Sequence, residues 1–200
     1  MKTTNITTAN IENLTVGQLK AIALMEFNGE DYFMIDEDDT VRIFEGNEEE
    51  ARVDFKNDIE GTEEAEIDAN FIIFCSNNLT EVEEIGEDEE RNGYIVLTDE
   101  EADEMAANYI KDSLWAFNAS FLASETGYPE EIFTAMQNKC EDANDAIYSL
   151  IDSNKSDTDI NSFIEAAISA DGRGHFMSSY DGNENEQSIN GAYFYIYRMN

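Results

Sequence analysis

Residues 94–101 read Tyr-Ile-Val-Leu-Thr-Asp-Glu-Glu, and within them a strand pattern passes directly into the start of a helix. The apolar run from Tyr94 to Leu97 is typical of a short buried strand. Thr98 and Glu101 have the spacing of a capping box, in which a hydroxyl and a carboxylate bind free N–H groups of the first helical turn. The junction predicts an α+β fold in which strands precede it and helices dominate after it.

Residues 1–93 are expected to form an acidic α+β part with a small antiparallel sheet. Thr15 can cap an early helix, and the apolar runs 32–35 and 40–44 flank an acidic turn as the strands of a hairpin do. Residues 51–55 alternate in polarity and residues 71–75 are continuously apolar, so each stretch is predicted as a further strand.

Residues 94–200 are expected to be mainly helical and to close with a terminal β-hairpin. Apolar residues recur at helical spacing along this part, and its helices are predicted to begin at or after Thr98, Pro129, Glu141 and either Asp157 or Asp159. Residues 175–180 and 193–197 are predicted as the two strands of the hairpin. The parts 1–93 and 94–200 are interpreted as two domains or as the halves of one compact unit.

The composition combines a core-forming apolar content with an extreme negative charge. Of the 200 residues, 42% are hydrophobic and 11% aromatic, which suits a folded core. The 46 acidic and 11 basic residues give a net charge of −35, whereas a net charge on the order of 2–8 keeps a small domain soluble. Because this charge repels nucleic acid and anionic lipid, neither a direct nucleic-acid partner nor a membrane is expected.

Most of the excess charge lies in residues 28–104, which hold 29 acidic and four basic residues. Carboxylates on folded elements can imitate duplex DNA, which carries one negative charge per about 1.7 Å of helix axis. Alternate side chains on one face of a strand lie about 6.6 Å apart, so a strand can present them at even spacing. The expected partner is a basic, nucleic-acid-binding protein. The predicted partner-binding residues are Asp36, Glu37, Asp38, Asp39, Glu48, Glu49, Glu50, Glu63, Glu64, Glu83, Glu84, Glu87, Asp88, Glu89, Glu90, Asp99, Glu100 and Asp103.

The acidic clusters also have two interpretations that involve no partner. Any single cluster fits a solvated loop or helix face. Salt adaptation could account for the whole set, although the abundant asparagine, isoleucine and phenylalanine fit it poorly.

Residues 171–175 contain the single histidine of the chain, and they are its most enzyme-like stretch. No nucleophile elbow, phosphate loop or HExxH motif accompanies them. Gly172 and Gly174 are better explained as a helix end and a chain turn in which Asp171 and Arg173 pair locally. A carboxylate-based metal enzyme centred on Asp171, Arg173 and His175 stays an alternative.

Signals for metals, cofactors and membranes are weak. The loop from Asp181 begins like a calcium-binding loop, but Glu186 and Ala192 occupy the positions that require glycine and glutamate. Cys75 and Cys140 lack ligand spacing and are predicted to be reduced, structural thiols, and neither a metal nor a cofactor is expected. No apolar run approaches the roughly 18 residues of a membrane span, and the N-terminus lacks a signal-peptide core, so a cytoplasmic location is predicted.

Several stretches of the C-terminal part are similar to a set of small uncharacterised bacteriophage proteins, over about residues 94–200. They are Leu-Thr-Asp-Glu-Glu-Ala-Asp at 97–103, Ser-Leu-Trp-Ala-Phe-Asn at 113–118, Ala-Asp-Gly-Arg-Gly-His-Phe at 170–176, Tyr-Asp-Gly at 180–182 and Tyr-Ile-Tyr-Arg at 195–198. The resemblance carries no assigned activity and no functional residue.

The resemblance implies a phage context, in which small acidic proteins commonly block nucleic-acid-binding defence proteins of the host by imitating DNA. The central segment is similar to such inhibitors in charge alone. The expected function is therefore a non-enzymatic inhibitor of this kind, acting in the host cytoplasm. A phage structural or assembly protein is the alternative, and the sequence leaves a homodimer open.

Overall fold

Helix α1, Val16–Asn28, begins at the predicted cap. The Thr15 hydroxyl accepts from the N–H of Gln18 at 3.1 Å, and the Gln18 side chain accepts from the N–H of Thr15 at 3.0 Å. The helix ends where Gly29 adopts a φ of 74°, a left-handed conformation that glycine enters without steric cost. All residues from Leu19 to Met25 are buried, as in a helix that lies largely within the core.

The computed structural model describes residues 12–37, 40–58, 67–153 and 155–200. A first compact unit consists of the described residues up to Leu97 together with Glu186–Ile196, and a second of Thr98–Asn185 with Tyr197–Asn200, apart from residue 154. The described residues form helices and two small antiparallel sheets, which confirms the predicted α+β fold class.

The predicted N-terminal hairpin is present as β1, Tyr32–Glu37, and β2, Thr40–Glu45. The two strands pair antiparallel, with Met34 opposite Ile43. Helices α2, Glu48–Asp58, and α3, Ile67–Asn78, follow the hairpin. The strands predicted at 51–55 and 71–75 are therefore wrong.

Both mispredicted stretches bury side chains at a spacing of four residues. Ala51 and Phe55 are buried one turn apart on α2, and Phe71 and Cys75 are buried one turn apart on α3, whereas Ile73 is 58% exposed. These buried side chains share one cluster. A short apolar run is compatible with a helix that buries one face, and periodicity alone does not distinguish the two structures.

The second sheet belongs mainly to the first unit and has the strand order β3-β4-β6-β5. Its strands are β3, Glu90–Arg91; β4, Tyr94–Leu97; β5, Asn185–Ile189; and β6, Ala192–Arg198. Asn190 and Gly191, both with positive φ, form the turn of the terminal hairpin. Ile189, Phe194 and Ile196 share a hydrophobic cluster with α1, so this hairpin completes the core of the first unit.

The second unit is helical. Its helices are α4, Asp99–Asp112; α5, Ala119–Thr126; α6, Glu130–Gln137; α7, Asn144–Ile151; α8, Ile160–Asp171; and α9, Arg173–Met177. Leu114, Leu122, Phe133, Ile147 and Phe163 are fully buried at its centre. The four helices predicted for this part are confirmed as α4, α6, α7 and α8. In the parts of the chain that the structure describes, every helix is too short or too polar to cross a bilayer.

The strand predicted at 175–180 is wrong, because residues 173–177 form the short helix α9. The adjacent residues Phe176 and Met177 are both buried, which fits a helical turn better than a half-exposed strand. Gly174 lies so close to the following loop that an added Cβ would stand 2.5 Å from the carbonyl oxygen of Gly182. The first strand of the terminal hairpin is β5 instead.

Candidate partner-binding surface

The predicted partner-binding residues are distributed over several elements. Asp36 is exposed near the end of β1, the backbone of Glu37 ends that strand, and Glu100 is exposed in the first turn of α4. The other described members lie at the start of α2, in residues 83–90 and at the start of α4. Four members lie outside the described residues: Asp38, Asp39, Glu63 and Glu64.

The first turn of α2 carries three exposed carboxylates, those of Glu48, Glu49 and Glu50. The Asn47 side chain caps the helix by accepting from the N–H of Glu49 at 2.9 Å, and the carboxylates suit the positive end of the helix dipole. Glu48 pairs with Arg52 one turn later, with 2.9 Å between Oε1 and Nε. Within the described chain, no cation pairs with Glu49 or Glu50, so their charge faces solvent.

Residues 80–85, here termed the acidic segment, begin antiparallel beside β2, where Glu81 lies opposite Phe44. The N–H of Val82 donates to the carbonyl of Ile43 at 2.7 Å, and the N–H of Glu45 donates to the carbonyl of Thr80 at 3.0 Å. Val82 packs against the hydrophobic cluster around α1. Strand-like hydrogen bonds thus fix residues 80–82, although they do not form a full strand.

The far end of the acidic segment packs against the start of α1. Ile85 is 2% exposed, and its N–H donates to the carbonyl of Gly17 at 3.0 Å. A Cβ at Gly17 would lie 2.9 Å from the Cβ of Glu84, so glycine permits this close approach. Glu81, Glu83 and Glu84 consequently project as exposed carboxylates from an ordered backbone.

Arg91 holds the turn that follows the acidic segment. Its guanidinium donates to the carbonyls of Glu83 and Glu84 at 2.6 and 2.7 Å, and it pairs with the Glu89 carboxylate at 2.6 Å. The backbone N–H of Gly86 and the Arg91 guanidinium together lower the pKa of Glu89. Glu89 is therefore a structural carboxylate of the turn. The exposed acidic residues of the turn are Glu87, Asp88 and Glu90.

At the start of α4, a nearly buried arginine engages two of the predicted residues. Arg173 Nη1 lies 2.8 Å from Asp99 Oδ1 and 2.9 Å from Asp103 Oδ1, and its Nε lies 2.9 Å from Glu184 Oε2. Burial lowers the pKa of Arg173, but its hydrogen bonds with Glu184 and Asp99 outweigh burial and raise it. The guanidinium thus serves these three carboxylates in place of its predicted partner, Asp171.

The three residues of the alternative metal enzyme do not converge. Asp171 and His175 line a shallow cavity of about 210 Å³ together with Tyr109 and Phe117, whereas Arg173 is absent from its lining. Within the described residues, no group of three or more His, Cys, Asp or Glu side chains is arranged to hold a metal ion.

Local structure accounts for the remaining candidate ligands. The Asp181 carboxylate accepts from the N–H of Asn183 at 2.9 Å and from the Ser178 hydroxyl at 2.8 Å, and these bonds lower its pKa. Cys75 is free and buried, and burial raises the pKa of its thiol, in keeping with a structural role. Cys140 is also free but exposed, so it is not a core thiol.

A groove in the first unit, here termed the α1 groove, was not predicted from the sequence. It encloses about 300 Å³, and the buried residues Ala21, Leu24 and Met25 of α1 form its floor. Its position depends on the pairing of the acidic segment with β2, which no local pattern indicates. Its rim carries the exposed carboxylates of Glu30, Glu45, Glu81 and Glu83.

Comparison with known proteins gives no match: no protein-family model, no curated protein and no solved structure is similar to the chain.

Proposed function

We propose that this protein is a non-enzymatic inhibitor that occupies the nucleic-acid-binding surface of a basic host protein. The observation that carries the proposal is the acidic segment with its following turn, where exposed carboxylates stand on hydrogen-bonded backbone. Among them, Glu81, Glu83, Glu84 and Glu87 form no ion pair within the described chain. The proposal places the protein in the cytoplasm of a bacterial host infected by a phage.

The charge arrangement supports this proposal in physical terms. Glu81 and Glu83 are two residues apart, a spacing that in an extended strand places side chains about 6.6 Å apart on one side. The guanidinium of Arg91, next to this segment, is already bound to Glu89 and to two carbonyls. An uncompensated row of carboxylates attracts a Lys/Arg-lined groove, and its order reduces the entropy lost on binding.

The test is capture of host proteins by the immobilised chain at graded salt, with duplex DNA as the competitor. The captured protein should be a nucleic-acid-binding protein that added DNA displaces, and its retention should fall as salt rises. Capture that is indifferent to both DNA and salt would refute charge mimicry.

Two charge-matched variants separate a local surface from total charge. Each replaces four exposed glutamates with glutamine, so both change the net charge equally. The test variant removes the charges of Glu81, Glu83, Glu84 and Glu87. The control variant removes those of Glu130, Glu131, Glu141 and Glu165, in the second unit. Capture should be lost in the test variant and kept in the control, whereas equal losses would contradict a defined surface in the first unit.

A further inference from the structure

The α1 groove combines two chemical characters within one concave site. Its floor is apolar, because Leu24 and Met25 of α1 line it, although they are only 3% and 6% exposed. Its rim is anionic, because Glu45, Glu81 and Glu83 are exposed beside that floor. A volume of about 300 Å³ is at the lower end of the range for ligand sites.

Of the four rim carboxylates, Glu30 accepts from the Asn28 side chain at 3.1 Å, and the other three have no partner of their own in the described chain. Within the residues that the structure describes, Glu45, Glu81 and Glu83 form neither an ion pair nor a side-chain hydrogen bond. The Arg91 side chain also lines the groove, but its guanidinium is committed to Glu89 and to two backbone carbonyls. The groove therefore concentrates uncompensated negative charge above an apolar surface.

We propose that the α1 groove takes a lysine or arginine side chain of the basic partner, with the aliphatic stem on α1 and the cationic head among the rim carboxylates. Long basic side chains combine these two characters, since they bury their methylene stems while the charged head stays at a polar edge. Burial of the stem adds a contribution that charge mimicry alone lacks, about 25 cal/mol per Å² of apolar surface. This inference rests on the proposed function and deepens it.

The groove chemistry disfavours other occupants. An anion or a nucleic acid would be repelled by the negative charges of Glu45, Glu81 and Glu83. A purely apolar segment leaves these carboxylates desolvated and without a counter-charge, which costs free energy. A side chain that joins a methylene stem to a cation satisfies both the floor and the rim.

The experiment measures binding of two labelled peptides of equal charge to the full chain. One alternates glycine with four lysines, and the other replaces each lysine with 2,4-diaminobutyrate, whose stem is two methylenes shorter. The measurement is made at about pH 6, where primary amines such as these carry their positive charge. Removal of two methylenes from a buried stem should weaken binding about tenfold. Equal affinities would overturn the proposed insertion.

A steric variant locates the peptide. Thr80 is exposed on the rim of the groove, so Thr80→Trp should obstruct it without a change of charge. Thr134, exposed on α6, provides the control Thr134→Trp. Binding of the lysine peptide should fall about tenfold in the first variant and stay unchanged in the second, and methyl signals of Leu24 and Met25 should shift on titration. Equal affinities of the two variants, or methyl signals that do not move, would overturn the groove site.

The two proposals fail in different ways. Suppose that peptide binding is unaffected by stem length and by Thr80→Trp but is lost when Glu81 and Glu83 are replaced with glutamine. The groove proposal is then refuted, whereas the proposed charge surface is supported. If neither peptide binds at about 0.05 M salt, the groove proposal also falls, and displacement of captured host protein by DNA then decides the proposed function separately.

Discussion

Replacement of Arg173 with alanine should destabilise the second unit by about 3 kcal/mol. The Arg173 side chain is 12% exposed, and it makes a two-point contact with Glu184 through Nε at 2.9 Å and Nη2 at 3.2 Å. A hydrogen bond to a charged group contributes about 1.5–3 kcal/mol, and we assign about 2 kcal/mol to this contact because the Tyr197 hydroxyl, 2.6 Å from Glu184, remains as a donor. Asp99 and Asp103 are about two-thirds exposed, so their pairs contribute about 0.5 kcal/mol each.

The assay is urea unfolding followed by the fluorescence of Trp115, the single tryptophan, which lies in the second unit. Urea is uncharged and does not screen the ion pairs, whereas guanidinium does. For a chain of this size, 3 kcal/mol corresponds to a fall in Tm of about 6–12 °C. The control is Lys139→Ala, which removes one positive charge from an exposed side chain. If the two variants differ by less than about 0.5 kcal/mol, Arg173 is not the structural link that its contacts indicate.

Two further predictions concern packing and charge. Gly174→Ala should lower the unfolding free energy by about 2 kcal/mol, because the added Cβ would stand 2.5 Å from a backbone oxygen. The control Gly86→Ala should change it little, because its Cβ would lie 3.5 Å from the nearest neighbour. Equal unfolding midpoints of the two variants would contradict the close approach. Because the net charge is −35 and salt screens the self-repulsion, the wild-type chain should unfold at a higher temperature in about 0.5 M than in about 0.01 M sodium chloride. A Tm independent of salt would show that the carboxylates are too dispersed to repel one another.

Helix starts were the most predictable part of this fold, because capping is local chemistry. Thr15 and Thr98 cap α1 and α4 as the sequence indicates, and in each case the residue three positions on completes the capping box. Asp159 likewise accepts from the N–H of Ser162 and caps α8. The α+β class followed from these starts and from the hairpin of β1 and β2.

The misassigned elements and the site depend on contacts that are distant in sequence. Burial on one face decides between helix and strand for 51–55 and 71–75, and the packing partners of that face are remote. Arg173 is only two residues from Asp171 in the sequence, but it pairs with Asp99 at 2.8 Å, more than 70 residues away. The α1 groove requires the acidic segment to pair with β2, so only its individual carboxylates, and not their common floor, could be inferred from the sequence.

The terminal hairpin has a consequence for biosynthesis. Ile189, Phe194 and Ile196 belong to the same cluster as α1, so the N-terminal unit lacks part of its interior until these residues leave the ribosome. Translation from Leu97 to Glu186 takes about 5–20 s at 5–20 residues per second. The second unit includes Tyr197–Asn200, so it too lacks part of its structure during that interval. Both units therefore need residues 186–200 to be complete, and neither can finish folding before the hairpin has been made.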